Sequence, residues 1–307
     1  MPKNTYNYPD KAGEEQLSSG KDRFKDNIAQ LKCPVCSERL QQDGLKSITC
    51  VNKHCFNISK KGYVNLLLNS KKSQYNKELF ESRNIICENG FFSPLIEAIV
   101  VLIERNLMIV NANDIKLLDA GCGEGFHLSQ IMNRLQKESH ANYHGVGIDI
   151  AKEGIQIAAR SYKKMLWCVA DLAKIPLMDQ QFDVILNILS PSNYREFERI
   201  LSDEGILIKV VPDSAYLQEL RKIFYRDTDK ETYSNSKVME HFRQSFHLVE
   251  TENVRYDVTM NKEQLKHIIK MTPLSWGATE DKICRALNQN IESVTVDFSV
   301  LIGKRKR

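Results

Sequence analysis

Two groups of residues in this 307-residue chain have types and spacings that imply chemistry. The first is Cys33-Pro34-Val35-Cys36, then Cys50, then His54 or Cys55. Two close pairs of soft ligands suit a tetrahedral structural zinc, and four protein ligands would leave no open position for activating water. Four reduced cysteines in a compact knot are the alternative. Spacing alone does not choose between His54 and Cys55, because adjacent residues in one turn do not easily face one metal. The second group is Asp119-Ala120-Gly121-Cys122-Gly123-Glu124-Gly125, a glycine loop after an apolar run. Its spacing is G-x-G-x-G, with Phe126 where a dinucleotide fingerprint has its third glycine. That, and the lack of a following Lys-Ser/Thr, argues against both NAD and a P-loop. Asp149 and Asp171 close the next two apolar runs. An acid at the end of a second strand can accept both ribose hydroxyls of a nucleoside-type ligand, and Asp171 is placed to meet an adenine edge. Cys122 sits inside the loop, but its neighbours give no Cys-His pair, and it reads as a small filler.

The elements that must position these residues follow from periodicity. After Asn113, apolar runs at 115–119, 144–149, 166–170, 182–189 and 205–211 alternate with amphipathic stretches near 126–138, 151–163, 192–201 and 213–225. Such alternation predicts a parallel, doubly wound sheet. Runs at 246–258 and 292–302, with helices near 261–270 and 279–289 between them, predict an antiparallel pair at the sheet edge. Residues 76–106 read as two helices, the second opened by Ser93-Pro94. Residues 31–68 have short β-like runs, 47–50 and 63–67, but too few apolar residues for a core of their own, so they need a staple. The first thirty residues are polar and read as a disordered extension. The expected organisation is therefore an extension (1–30), a zinc-binding domain (31–75), a helical linker (76–109) and an α/β domain (110–307) with a separate core.

Charge is uneven. Residues 31–78 carry nine Lys/Arg against three acids, +6, whereas residues 1–30 are neutral and the remaining 229 carry −2. A basic segment ahead of a near-neutral body suits a polyanion partner. Lys60, Lys61 and Tyr63, just past the candidate ligands, suit phosphate contact and either base stacking or packing of the knot. The Met-Pro-Lys-Asn-Thr start has no apolar stretch resembling a secretory signal, and no run reaches the ~20 apolar residues of a membrane span. A cytoplasmic chain that touches no membrane is expected, and there eight cysteines seldom pair as disulfides.

Acids and glycines at three successive strand ends resemble the class I S-adenosylmethionine-dependent methyltransferases. Taken in order, Cys33-Pro-Val-Cys36, Cys50-Val-Asn-Lys-His54, Lys61-Gly-Tyr-Val-Asn-Leu-Leu67, Asp119-Ala-Gly-Cys-Gly-Glu-Gly125 and Met271-Thr-Pro-Leu-Ser-Trp276 resemble a narrower family. It is the bacterial 23S ribosomal RNA guanine-N1 methyltransferases of the RlmA type, matched over roughly 31–303. The resemblance implies a Rossmann-like, mostly parallel seven-stranded sheet preceded by a small zinc-binding domain. It implies S-adenosylmethionine and one structural zinc as cofactors, with His54 as fourth ligand beside Cys33, Cys36 and Cys50. Cofactor contacts carry over to Gly123, Glu124, Phe92 and Tyr216, joining Asp119, Gly121, Gly125, Asp149 and Asp171. Phe92 stands where the family usually has tyrosine, and Tyr216 where some members have histidine. Asp203-Glu204-Gly205 replaces the family's usual Pro-Gly-Gly turn. The implied partner is a 23S rRNA hairpin, met by Lys53, Lys60, Lys61, Lys71 and Lys72, and a homodimer is compatible with the resemblance. No catalytic residue is identified; Asn187 and Ser190 lie where several methyltransferases position the target base.

Overall fold

The computed structural model describes residues 27–44, 46–69, 76–107, 114–138 and 141–306. Eight strands form its large sheet, in the order β10-β11-β9-β8-β5-β6-β7-β4. The strands are β4 (Val64–Asn65), β5 (Asp114–Ala120), β6 (Asn142–Asp149), β7 (Leu166–Val169), β8 (Phe182–Ile188), β9 (Leu201–Pro212), β10 (His247–Thr259) and β11 (Ser293–Lys304). All pairs from β4 to β9 are parallel, and β11 runs antiparallel to both β9 and β10. The seven expected strands are present, and the two-residue β4 adds an eighth. Central strands such as β7 and β8 are buried along nearly their whole length, which explains their unbroken apolar sequences. The edge strand β10 instead alternates half-buried and exposed positions.

Helices α1 (Lys77–Glu88), α2 (Ser93–Leu107), α3 (Phe126–Glu138), α4 (Lys152–Ser161), α5 (Tyr194–Ile200), α6 (Gln218–Phe224), α7 (Ser236–Ser245), α8 (Lys262–Met271) and α9 (Glu280–Asn288) make up the rest. Caps start several of them. Asn76 accepts from the Leu79 N–H at α1, and at α8 Asn261 and Gln264 form a reciprocal capping box. The supposed linker is not one: α2 buries Leu95, Ile96, Ile99, Val100, Leu102 and Ile103 in the main core. Its apolar stripe is too wide for a solvated connector.

Residues 31–58 hold a small antiparallel sheet, β1 (Leu40–Asp43), β2 (Ser47–Cys50) and β3 (Cys55–Asn57). This ribbon has no core of its own, and the expectation of a separate catalytic-domain core is corrected here. Ile28, Leu31, Leu40, Ile48, Val64 and Leu66 share one apolar cluster with Leu118, Val146, Leu166, Leu177 and Phe182 of the large domain. No helix crosses between β7 and β8. The ribbon covers that part of the sheet instead, on the face also packed by Phe197 of α5 and Phe242 of α7. Backbone hydrogen bonds sew the two together: Lys32 N–H to Pro176 O (3.0 Å), Met178 N–H to Gln30 O (2.8 Å) and Leu66 N–H to Val169 O (2.9 Å). Residues 27–30 of the expected disordered extension are thus part of the packed structure, with Asn27, Ile28 and Gln30 buried. Residues 1–26 lie outside the described residues, as do 70–75 of the expected second domain. Among the described residues no single helix is long and apolar enough to cross a membrane. The α1–α2 pair passes only when joined, across a 76° bend.

Candidate functional site

At the tip of the ribbon, one donor atom from each of Cys33, Cys36, Cys50 and His54 lies within 4.8 Å of all the others. Two tight turns aim them. Ser37 N–H bonds Cys33 O and Lys53 N–H bonds Cys50 O, with Ser37 and Lys53 in the left-handed region. The separations are 3.6 Å for Cys36 Sγ to Cys50 Sγ, 3.6 Å for Cys33 Sγ to His54 Nδ1 and 3.4 Å for Cys50 Sγ to His54 Nδ1. A zinc tetrahedron with ordinary bond lengths has edges of about 3.8 Å between sulfurs and about 3.6 Å from sulfur to nitrogen. The donor set and its spacing therefore fit zinc. Cys55 lies outside the cluster, exposed at the start of β3, which resolves the alternative that spacing left open.

The glycine loop joins β5 to α3 at the carboxyl edge of the large sheet. Gly121 and Cys122 N–H groups both bond Ile148 O, holding the loop against the end of β6. Gly121 has φ +88°, and a Cβ there would come within 2.5 Å of Ser190 Oγ. At Gly125, φ +81°, a Cβ would come within 2.5 Å of the Trp167 ring. These two positions accept no side chain, so the loop presents bare backbone there. Asp149 braces it: Oδ2 accepts the Gly123 N–H (2.8 Å) and Oδ1 the Ala151 N–H (2.7 Å). Asp171, at the end of β7, accepts the Ala173 N–H at 2.9 Å.

Behind the loop lies a buried polar cluster that sequence reasoning found only in part. Glu124 Oε1 accepts from Arg83 Nε at 3.0 Å, and an Arg83 terminal nitrogen lies 3.2 Å from His127 Nδ1. Among the described residues, three polar atoms here have no hydrogen-bond partner: Asp119 Oδ2, Glu124 Oε2 and His127 Nε2. Burial pushes the Asp119 carboxyl up to about 8, with Asp149 and Glu124 adding to the effect against Arg83. Burial also raises Glu124 and, together with Arg83, lowers His127. Native interiors seldom leave such groups unpaired without a role for them. They fit a ligand bearing its own ammonium, carboxylate or hydroxyl groups. Arg83 was missed because it lies 41 residues ahead of its partner; a histidine on the apolar face of α3 was the available signal.

Phe92 and Tyr216 are both buried, in a row of rings behind this cluster. Phe92 packs edge-on against His127 (4.8 Å) and stacks with Phe298 (6.2 Å), which meets Tyr216 (4.9 Å). Asn187 is fully buried, and both ends of its amide are engaged inside the protein. Its Nδ2 donates to Ala120 O, Ser190 Oγ and Pro191 O, and its Oδ1 accepts from Ser192 Oγ and Lys209 Nζ. It holds the loop after β8 and has no free edge for a base, which corrects the expectation that it positions one directly. Ser190 is half-buried beside the glycine loop, its hydroxyl donating to Ala120 O at 2.7 Å. Lys209, another residue that the sequence reading missed, also donates to Ser190 O at 2.5 Å. Burial lowers its pKa to about 8. A lysine inside the run Ile206-Leu-Ile-Lys-Val-Val211 was its signal. Lys53, Lys60 and Lys61 are exposed, Lys61 donating to Gln156 Oε1 at 2.6 Å, whereas Tyr63 is buried and packs. Lys71 and Lys72 lie outside the described residues.

Residues 31–74 match the family described as RlmA, N-terminal, a zinc ribbon, and residues 111–290 match the family described as Methyltransferase domain. A Bacillus subtilis (strain 168) protein that carries the name "Putative 23S rRNA (guanine-N(1)-)-methyltransferase YxjB" is 40% identical over 281 residues, covering 91% of this chain and 98% of that protein. The 23S rRNA (guanine(748)-N(1))-methyltransferase of Streptomyces fradiae is 27% identical over 284 residues, again covering 91% and 98%.

Proposed function

Because the chain belongs to the family of RlmA-type 23S rRNA guanine-N1 methyltransferases, a zinc ribbon joined to an S-adenosylmethionine-dependent methyltransferase domain, we propose that it methylates N1 of one guanine in a 23S rRNA hairpin. A cytoplasmic location and the pairing of two copies belong to the same reading. The observation that carries it is the glycine cradle with three unpartnered buried polar atoms at its back, beside a ribbon built around a Cys3His cluster.

S-adenosylmethionine, when bound, supplies an already activated methyl group, so no covalent enzyme intermediate is needed. Gly121, Gly123 and Gly125 present backbone to it, Asp149 takes the ribose hydroxyls, and Asp171 lies toward the adenine. Asp119 and Glu124 have free oxygens for its charged end, with Phe92 and Tyr216 as the aromatic wall behind His127. Ser190 faces the target base, on a loop held by Asn187 and Lys209. Catalysis by these residues is mainly alignment of acceptor and donor. Cys33, Cys36, Cys50 and His54 hold zinc for structure alone, since four protein ligands close the site. Lys53, Lys60 and Lys61 on the ribbon meet phosphates and supply affinity without choosing the base.

The decisive test is incubation of unmodified 23S rRNA transcript with the full chain and S-adenosylmethionine, followed by nucleoside analysis. The expected product is 1-methylguanosine. Finding only 2-methylguanosine, or a methylated base other than guanine, refutes the substrate while leaving the fold intact.

A further inference from the structure

One cavity adjoins the site described above, sharing Tyr216 with it, and it meets a motif that the proposed function does not use. The cavity measures about 720 Å³, within the roughly 300–1,000 Å³ span of small-ligand sites. Pro212, the last residue of β9, and Tyr216, just past it, line one part, and Thr272, Pro273 and Leu274 of the Met271–Trp276 motif line another. Its chemistry centres on Arg221, 8% exposed. One terminal nitrogen of Arg221 donates to Lys230 O at 3.0 Å. The guanidinium carbon lies 5.0 Å from the Tyr233 ring centre and 5.9 Å from that of Tyr225. Among the described residues, Arg221 Nε is buried without a hydrogen-bond partner and no carboxylate forms an ion pair with the side chain. Buried cations are normally paired with an anion. Here two aromatic rings and a carbonyl hold the guanidinium in place, and the countercharge is missing. Lys230 and Lys237 add positive charge to the cavity lining against Asp229 alone.

A guanidinium held in one plane suits phosphate, and tyrosine faces suit nucleobases. We propose that this cavity holds one nucleotide of the RNA strand flanking the target guanine, with Arg221 and Lys230 on its phosphate and a tyrosine face against its base. The inference rests on the reading of the chain as an rRNA methyltransferase. Placement supports a flanking nucleotide and not the methyl acceptor. Tyr216 lines the cavity, and three successive ring contacts, Tyr216–Phe298, Phe298–Phe92 and Phe92–His127, lead from it to the glycine-loop cluster.

The test measures binding of unmodified 23S rRNA transcript to the full-length chain across salt concentrations, beside S-adenosylmethionine affinity and melting temperature. Arg221→Gln should raise the RNA Kd about tenfold and flatten the log–log salt slope by about 0.7–0.9, the loss of one phosphate contact, with cofactor affinity unchanged. Lys230→Gln changes an exposed side chain and keeps the test valid if Arg221→Gln folds poorly; it should flatten the slope in the same direction. Tyr233→Leu should weaken RNA binding, and Tyr233→Phe should restore it. Wild-type Kd and slope in folded Arg221→Gln and Lys230→Gln overturn the proposal. So does a change confined to 5′-GMP or inorganic phosphate used as probes, because that marks a site for free small anions. If the wild-type chain yields no 1-methylguanosine yet these variants still lose RNA, the substrate reading fails and the subsite stands.

Discussion

The zinc ribbon and the glycine-loop cluster both gather buried polar side chains, but they leave them in opposite states. In the ribbon, all four donor atoms face one another within 4.8 Å, and Cys33 and Cys50 are sealed under apolar residues. Around the glycine loop, Arg83 satisfies one oxygen of Glu124, while the second oxygen, one of Asp119 and a nitrogen of His127 remain unpartnered. A convergent set of donors organises a fold, and a cluster with spare acceptors is built to receive something. The contrast separates a structural centre from a binding centre without reference to family.

The largest effect that would sharpen this contrast should come from Cys36→Ser. Structural zinc contributes about 10–16 kcal/mol to the folding of small zinc modules, and this ribbon shares its apolar cluster with the catalytic domain. The variant should therefore lose zinc, lose RNA methylation and also lower the melting temperature of the whole chain, read by metal analysis and calorimetry. A variant that loses zinc yet keeps the wild-type melting temperature would break the coupling between the two regions.

Asp149→Ala comes next. A hydrogen bond to a charged group is worth about 1.5–3 kcal/mol, so S-adenosylmethionine affinity should fall about ten- to a hundredfold by titration calorimetry. Because Asp149 also holds the Gly123 and Ala151 N–H groups, a modest loss of stability should accompany it.

A third prediction concerns pH. An unfolded aspartate releases its proton near pH 4, whereas folded Asp119 holds it to about 8. Between these values the folded chain binds the extra proton, so stability should fall as pH rises through that window. Asp119→Asn should flatten the dependence of melting temperature between pH 5 and 8, and at pH 8 should weaken the cofactor by about 1–3 kcal/mol. An unchanged pH slope would show that Asp119 does not titrate in that window, and unchanged cofactor affinity at pH 8 would remove it from the binding centre. The smallest effect is expected from Lys60→Gln with Lys61→Gln, both exposed positions. RNA Kd should rise a few-fold and the salt slope flatten, with cofactor affinity unaltered.

How much of this was legible beforehand depended on range along the chain. The zinc ligands and the glycine loop announce themselves because their chemistry is local: C-x2-C, and three glycines within five residues. Helix α3 was legible for the same reason, its apolar period being strong over thirteen residues. Helix α7 escaped because only Phe242 on it is buried, and β1 and β3 because three- and four-residue strands carry little pattern. The Arg83–Glu124–His127 cluster and the Lys209–Asn187 bond depend on which elements pack together, and spacing does not encode that. The shared core was hidden similarly: Leu31, Val64 and Leu66 are too few to look like a docking face until Leu177 and Leu166 lie opposite.

The pairing of β4 with β7 has a consequence in time. Val64 pairs with Cys168, roughly a hundred residues further along the chain. At typical synthesis rates of about 5–20 residues per second, some 5–20 s separate the emergence of the two partners from the ribosome. During that interval the metal-binding turns are already complete in sequence, but the surface that will cover Leu31, Val64 and Leu66 has not been made. Until then the nascent chain carries Leu31, Val64 and Leu66 without the Leu166 and Leu177 side chains they pack with in the finished fold.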